Sequence, residues 1–350
     1  MSESIGARPS RKPDPIVSVI VPAHNAGRYL SAALDSLRAQ TVRDLEIIVI
    51  DDGSSDDTGD VGRRHASEDP RVCVITNEKP SGRPAAARNA GLCAARGKYI
   101  ALLDADDTSI PTRLEKGIRA MELTGSRFAF ADVQRFFEDS GTLAPDGTLA
   151  LAGFLQMAAP YLEHVADDVY LCSQSFSAFL LTYVAIVTST VMFDRELLTR
   201  EQTWFDESLV YFEDLDLWLR WAEHTRFVYV DEVQVIMRKH GTSLTGSQPL
   251  ETRMSGIAVR RQHLQRLASR MSTRELEAAE QNISELQFHV AYAQWCAGRG
   301  DRARKWFLDS WRSKATVAAA LGYLKAFVPR EAALDLLASL RRGIAGGAGR

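Results

Sequence analysis

Short apolar runs rich in β-branched side chains alternate, over the first 110 residues, with segments whose apolar positions recur every three or four residues. Ile16 to Val21 (IVSVIV, closed by Pro22), Leu45 to Ile50, Val72 to Thr76 and Tyr99 to Leu103 read as buried strands. Between them lie three helices: from about Tyr29 to about Gln40, with Leu30, Ala33, Leu34 and Leu37 on one face, then one through Arg63 and His65, then roughly Pro84 to Ala95. Strands and helices in strict alternation predict an α/β fold, a mostly parallel sheet with helices on both faces.

Further on the pattern loosens. Phe128 to Val133 predicts another strand, and Ser140 to Ala150 a loop containing Gly and Pro. Phe176 to Phe193 carries no charge for 18 residues, the lower length limit for a membrane span. It contains Ser177, Thr182, Thr188, Ser189 and Thr190, and reads as two buried elements of a soluble core. Leu215, Trp218, Leu219 and Ala222 have helical spacing, with Glu213 and Asp214 at the first turn, and Phe227 to Val230 predicts a strand. From Glu251 the character is helical. Ser272 and Glu275 form a capping box, and that helix runs to about Ala297, stopped by Gly298 and Gly300. Asp301 is expected to cap a helix through Trp311, and Pro329 to start a last one, with Leu334, Leu337 and Leu340 on one face, ended by Gly343.

In parallel sheets ligands bind beyond the carboxyl ends of the strands. Three strand ends deliver polar loops to that edge: His24-Asn25, Asp51-Asp52 and Asp104 to Asp107. Burying carboxylates without a cation or hydrogen-bond donors is costly, and three together repel. Asp104 and Asp106 stand at i and i+2, on one side of an extended chain. Two hard oxygen ligands there suit Mg²⁺ or Mn²⁺ with positions left for phosphate oxygens. The same residues would also serve as an acidic turn ahead of the next helix. The first strand lacks GxGxxG, which counts against a dinucleotide-dependent oxidoreductase.

With 350 residues, 45% apolar and 25% charged, the chain has room for two domains and an ordinary core. The net charge of −3 is unevenly spread. From Glu251 onward there are 17 basic and 9 acidic side chains, a net +8, which leaves −11 for the first 250 residues. The acidic body argues against nucleic acid as a partner; the basic C-terminal helices are expected to pack on the sheet domain or form a helical-hairpin appendage, with contact to an anionic membrane or self-association as the sharper alternative. Cys73, Cys93, Cys172 and Cys296 lack CxxC spacing and fit reduced thiols of a cytoplasmic protein. MSESIGARPSRKPDP reads as a disordered lead over residues 1–15.

VSVIVPAHN (17–25), VIDDGSSDDT (49–58), AARNAGLCAARGKYIALLDADD (86–107), YFEDLDLWLR (211–220) and MRKHGTSLT (237–245) together resemble the inverting nucleotide-sugar glycosyltransferases of family 2, which have the GT-A fold. The resemblance implies a catalytic domain over 16–250, with a nucleotide-sugar half about 16–110 and an acceptor half about 111–250, followed by a helical region over 251–350. Pro22, Ala23 and His24 would then lie against the nucleobase, with Asn25 beside them. His24 stands where the family usually has Tyr, which leaves base preference open. Asp52 would bind the imide edge of the base, and Arg88 and Asn89 the diphosphate or sugar. Asp104 would hold the ribose or sugar, and Asp106 the metal, with Asp107 adjacent and His240 of the Arg-x-His pattern as a further ligand. Asp214 of the Glu213-Asp214 pair would be the catalytic base; as a purely structural pair the two carboxylates would gain about 0.3–1 kcal/mol from the helix dipole.

The implied reaction is inverting, metal-dependent transfer from a nucleotide sugar, with UDP the expected nucleotide, to a saccharide or lipid-linked acceptor in polysaccharide or glycoconjugate synthesis. The implied location is cytoplasmic, with peripheral contact at the inner membrane surface. A metal-dependent nucleotidyltransferase and a non-catalytic nucleotide-sugar-binding scaffold are the rival readings. Neither needs a second carboxylate centre for an acceptor hydroxyl.

Overall fold

The computed structural model describes residues 14–199, 204–241 and 249–327. The N-terminal half runs β1 (Val17–Ala23), α1 (Gly27–Arg38), β2 (Leu45–Asp51), α2 (Thr58–Glu68), β3 (Val72–Thr76), α3 (Pro84–Ala94) and β4 (Tyr99–Leu102). It continues through β5 (Thr108–Ser109), α4 (Arg113–Thr124), β6 (Phe128–Phe137), β7 (Thr142–Gly147), α5 (Thr148–Leu151), α6 (Phe154–Ala158), β8 (Leu162–Ala166), β9 (Val169–Cys172), α7 (Phe176–Thr182), β10 (Met192–Asp194), α8 (Glu213–Trp221) and β11 (Phe227–Lys239). Four helices follow: α9 (Pro249–Leu267), α10 (Thr273–Cys296), α11 (Gly300–Ser313) and α12 (Val317–Lys325).

The sheet order is β3-β2-β1-β4-β10-β6-β11-β9-β8, with β5 added to β11 and β7 to β6. β3, β2, β1 and β4 are parallel, as are β6 and β11, and β10 joins the two groups antiparallel. Side-chain alternation divides the core. Val17, Val19, Val21, Ile47 and Val49 pack with Leu30, Leu34 and Leu37 of α1, whereas Ile20, Ile48, Ile50, Ile100 and Leu102 face the layer of α3, α7 and α8. The chain leaves β1 for β2 on one side and β4 returns on the other, so the crevice between β1 and β4 is the switch point where such sheets bind ligands.

Several boundaries differ from the sequence reading. Pro22 lies inside β1 and does not close it: the β1–β4 pairing ends at Ile20–Leu102, and by the pleat the proline nitrogen faces that vacant side. Within Ser140 to Ala150, β7 pairs with β6 through a tight turn at Gly141 (φ +64°), and α5 begins. β11 continues nine residues past Val230; register shifts between Val230 and Val235 break its alternation and hide the continuity in sequence. Gly300 opens α11, so Asp301 sits within its first turn and does not cap it, and α12 was not anticipated. The capping box at Ser272 and Glu275 is present. The helix expected from Pro329, with Leu334, Leu337 and Leu340, lies outside the described residues.

The uncharged stretch resolves into α7, a buried 3-10 turn at Thr188–Thr190 and β10. Among the described residues no helix is long and apolar enough to cross a membrane. The C-terminal helices pack onto the sheet domain: α9 on α7 and α8, and α10 on α7 and α9.

Candidate active site

Three loops meet beyond β1, β2 and β4. His24 and Asn25 are exposed, and Asn25 takes a left-handed φ of 50°. His24 Nδ1 lies 2.8 Å from the Asp52 carbonyl, and Asn25 Oδ1 accepts from the Ser55 amide at 2.8 Å. Asn25 therefore ties the first two loops together, and its Nδ2 lies 3.3 Å from Nε2 of the exposed His24 ring. Asp52 is not open to a nucleobase in this conformation. Its carboxylate accepts from Asn77 Nδ2 at 2.8 Å, from Ser81 Oγ at 2.6 Å and from the Ser81 amide. Burial alone would raise the Asp52 carboxyl, but these donors hold it below its usual range.

The third loop is sorted by its partners. Asp106 Oδ2 lies 2.9 Å from His240 Nε2, and the His240 ring packs on Tyr29 at 4.7 Å. Burial and the charge of Asp104 push the Asp106 carboxyl up. Asp107 is more deeply buried; it accepts from Ser189 Oγ at 2.6 Å and from the Arg238 amide at 3.0 Å, and burial with its two acidic neighbours pushes it up to about 8. It fastens the end of β11 to the loop after β4 and faces no open space.

No group of three or more His, Cys, Asp or Glu side chains among the described residues could hold a metal by itself. Asp106 and His240 offer two donors, and a six-coordinate Mg²⁺ or Mn²⁺ would fill the remaining positions with phosphate oxygens and water. Burial and neighbouring carboxylates push Asp106 and Asp107 up, a strain that a cation beside them would relieve. The residues fit a hard divalent cation held by Asp106 and His240.

Arg88 is engaged by both acidic centres. It is buried, donating to Asp104 Oδ1 at 2.9 Å and to Glu213 Oε1 at 2.5 Å, so it joins the two acidic centres. Burial opposes its charge, and the two carboxylates more than restore it. Burial pushes the Glu213 carboxyl above its ordinary range against the pull of Arg88. Asn89 is likewise spent on structure: it accepts from the Phe205 amide at 3.1 Å and donates to the Phe205 carbonyl and to Glu207, clamping the segment before α8.

Asp214 is half-buried at the start of α8, with Oδ2 accepting from Thr188 Oγ1 at 2.9 Å and Oδ1 from the Leu215 amide. Leu180, Val184, Ala185, Ile186 and Trp218 line the narrow cleft beside it. Asp216 faces the other way, into a buried contact with His263 Nε2 at 2.8 Å and an ion pair with Arg220.

Sequence reasoning missed Thr188 and Ser189, which reach the two centres from a single turn: Ser189 holds Asp107, and Thr188 holds Asp214. The available signal was the cluster of hydroxyls inside an otherwise apolar run. A cavity of about 350 Å³ lined by Arg127, His224 and Arg226 lies at the opposite edge of the sheet, before β6 and β11, and contains none of these residues.

A parallel sheet with carboxylates at its switch point, a second acidic centre at the start of α8, and the antiparallel link through β10 make up a GT-A type fold. Residues 18–179 match the family model described as glycosyl transferase family 2. It is 30% identical over 234 residues to the uncharacterized glycosyltransferase EpsJ of Bacillus subtilis, covering 66% of this chain and 63% of that one. It is 32% identical over 200 residues to the succinoglycan biosynthesis protein ExoO of Rhizobium meliloti, covering 57% of this chain and 53% of that protein. The match thus spans less than two thirds of either relative. Among solved structures, S. aureus TarS 1-349 in complex with UDP-GlcNAc superposes with TM-score 0.57 at 17% identity, over 88% of this chain and 90% of that one. The mannosyltransferase PcManGT of Pyrobaculum calidifontis, in complex with GDP-Man and Mn²⁺, gives 0.51 at 17% identity, over 89% and 88%. These likenesses are of fold.

Proposed function

We propose that this chain transfers a sugar from a nucleoside-diphosphate donor to an acceptor hydroxyl, with inversion, in the assembly of a polysaccharide or glycoconjugate. The observation that carries the reading is the second acidic centre: Asp214 opens α8, and Arg88 and the Thr188–Thr190 turn tie that helix to the donor-side carboxylates. Asp214 takes the proton of the acceptor hydroxyl as that oxygen bonds to the anomeric carbon. The bond to the diphosphate breaks on the opposite face, through an oxocarbenium-like transition state. A divalent ion at Asp106 and His240 would neutralise the departing diphosphate. The succinoglycan protein supports a saccharide product, and UDP as the nucleotide rests on the sequence resemblance, since one fold neighbour holds UDP-GlcNAc and another GDP-Man.

Purified protein incubated with a panel of nucleotide sugars is expected to release the nucleoside diphosphate from one of them. Asp106→Asn should weaken divalent-dependent binding of that nucleoside diphosphate at least ~tenfold, with its melting point kept. Equal calorimetric affinity for variant and wild type, with and without chelator, contradicts the metal assignment.

A peripheral membrane contact is favoured by one surface. Val317, Leu321 and Leu324 recur at helical spacing on α12 and are 76%, 59% and 62% exposed, with Phe327 just beyond and Arg312 and Lys314 just before. Leu321→Glu with Leu324→Glu should lower partition onto anionic liposomes by ~tenfold or more at low salt. Wild-type protein that ignores such liposomes rules the contact out.

A further inference from the structure

α8 opens on a conformational exception. Phe212, the residue before Glu213, has φ +64° and ψ 21°, a left-handed backbone that a bulky residue adopts only when its surroundings impose it. Those surroundings come from α9, beyond the sheet domain. The Phe212 ring lies so close over Gly256 that a Cβ there would come within 2.8 Å of Cε2. The Arg260 guanidinium packs on the same ring at 5.3 Å. One turn on, His263 meets Asp216, and Arg266 pairs with Glu223 just past the end of α8 at 2.6 Å. One side of α9 therefore grips α8 at its start, middle and end.

Arg260 is the unusual member. It is 4% exposed and has no carboxylate within ion-pair distance among the described residues; it donates to the Leu181 carbonyl at 2.9 Å and the Gly256 carbonyl at 3.1 Å. Leu181 belongs to α7, whose end leads into Val184, Ala185 and Ile186 of the Asp214 cleft. Burial pushes the guanidinium down to about 10, and the one charge opposing that is Asp214. A buried cation whose hydrogen bonds go to carbonyls is costly unless its charge is used.

We propose that Arg260 is a positioning residue of the acceptor site: it fixes the left-handed turn at Phe212 and joins the end of α7 to the start of α8, and so sets where Asp214 stands. The C-terminal helical region then completes the active site. This rests on the assignment of Asp214 as the base.

The test uses the full-length chain with Arg260→Gln, Arg260→Lys and, in parallel, Asp214→Asn. The first readout needs no substrate. Hydrogen–deuterium exchange at the amides of Phe212–Trp221 should accelerate at least ~tenfold in Arg260→Gln and less in Arg260→Lys, while β1 and β2 stay protected. The second is release of nucleoside diphosphate from the nucleotide sugar that serves the wild type. Arg260→Gln should lower kcat ~10-fold or more with donor affinity unchanged, and Arg260→Lys should recover a measurable part. Wild-type exchange across α8 in Arg260→Gln overturns the inference. So does a rate loss that Lys does not relieve and that merely follows the folded fraction. Activity lost in Asp214→Asn but intact in Arg260→Gln overturns this inference alone; activity intact in Asp214→Asn removes the underlying assignment instead.

Discussion

Asp214→Asn is expected to lower the transfer rate by about 10²–10⁴-fold, the usual cost of losing general-base help. Asparagine keeps the size of the side chain: its Oδ1 can still accept from the Leu215 amide, and its Nδ2 can donate to Thr188 Oγ1, whose hydroxyl then accepts where it donated before, so both contacts of residue 214 survive. It cannot take a proton, and the acceptor hydroxyl remains a weak nucleophile. Donor affinity should stay within about twofold, because the residues nearest the expected donor, His24 and Asp104 to Asp106, do not contact Asp214. Turnover paired with calorimetric titration of the nucleoside diphosphate separates the outcomes. Near wild-type turnover would place the base elsewhere. Asp216 is a poor substitute, since His263 and Arg220 already engage its carboxylate. Glu213 is no better, being locked to Arg88. Collapse of donor binding would move Asp214 to the donor side.

Arg88→Met should give the largest loss of stability of any single change at the site. Its guanidinium is the buried cation between Asp104 and Glu213. Removing one partner of a buried pair strands the other charge, at a typical cost of ~3–5 kcal/mol. The cost comes from the uncompensated carboxylates and not from lost packing, so Arg88→Met with Glu213→Leu should recover much of it. The sign with pH follows from Glu213. Its carboxyl is held above the ordinary range in the folded protein, so the folded state binds that proton more tightly than the unfolded chain does. Its contribution is therefore most favourable in acid and is lost as pH rises through the raised value. Without Arg88 that slope steepens, and the melting point of Arg88→Met should approach that of the wild type as the solution is acidified. A variant that melts like the wild type at neutral pH would show that the pair is solvated and the network incidental.

The alternating strands and helices up to β4 were legible because each buried strand is a continuous apolar run and each helix carries one apolar stripe. The loops expected to carry chemistry were legible for a related reason: carboxylates directly after a buried strand have few places to go. The same local logic located the capping box at Ser272, since its hydrogen bonds span only three residues. It failed where pairing is distant. β11 looked short because its bulges break the alternation, and β7 looked like a loop because its only support is β6.

At the site the division is sharper. Sequence by itself determined which carboxylates, histidines and arginines are present, which strand ends present them, and that Glu213 and Asp214 open a helix. Tertiary structure alone decided what each is free to do. Arg88 and Asn89 are neighbours on α3, yet one bridges two acidic centres and the other clamps the Phe205–Glu207 segment. Asp106 faces His240, across 134 positions of chain, while the adjacent Asp107 is sealed against Ser189 and Arg238. The left-handed Phe212 is held by Gly256 and Arg260 from α9, in a region whose sequence shows only helix and positive charge. A residue type carries its proton affinity and hydrogen-bonding capacity wherever it stands, so its chemistry can be read locally. Which partner consumes that capacity depends on burial and on groups brought from tens of residues away, and that is known only once the chain has closed on itself.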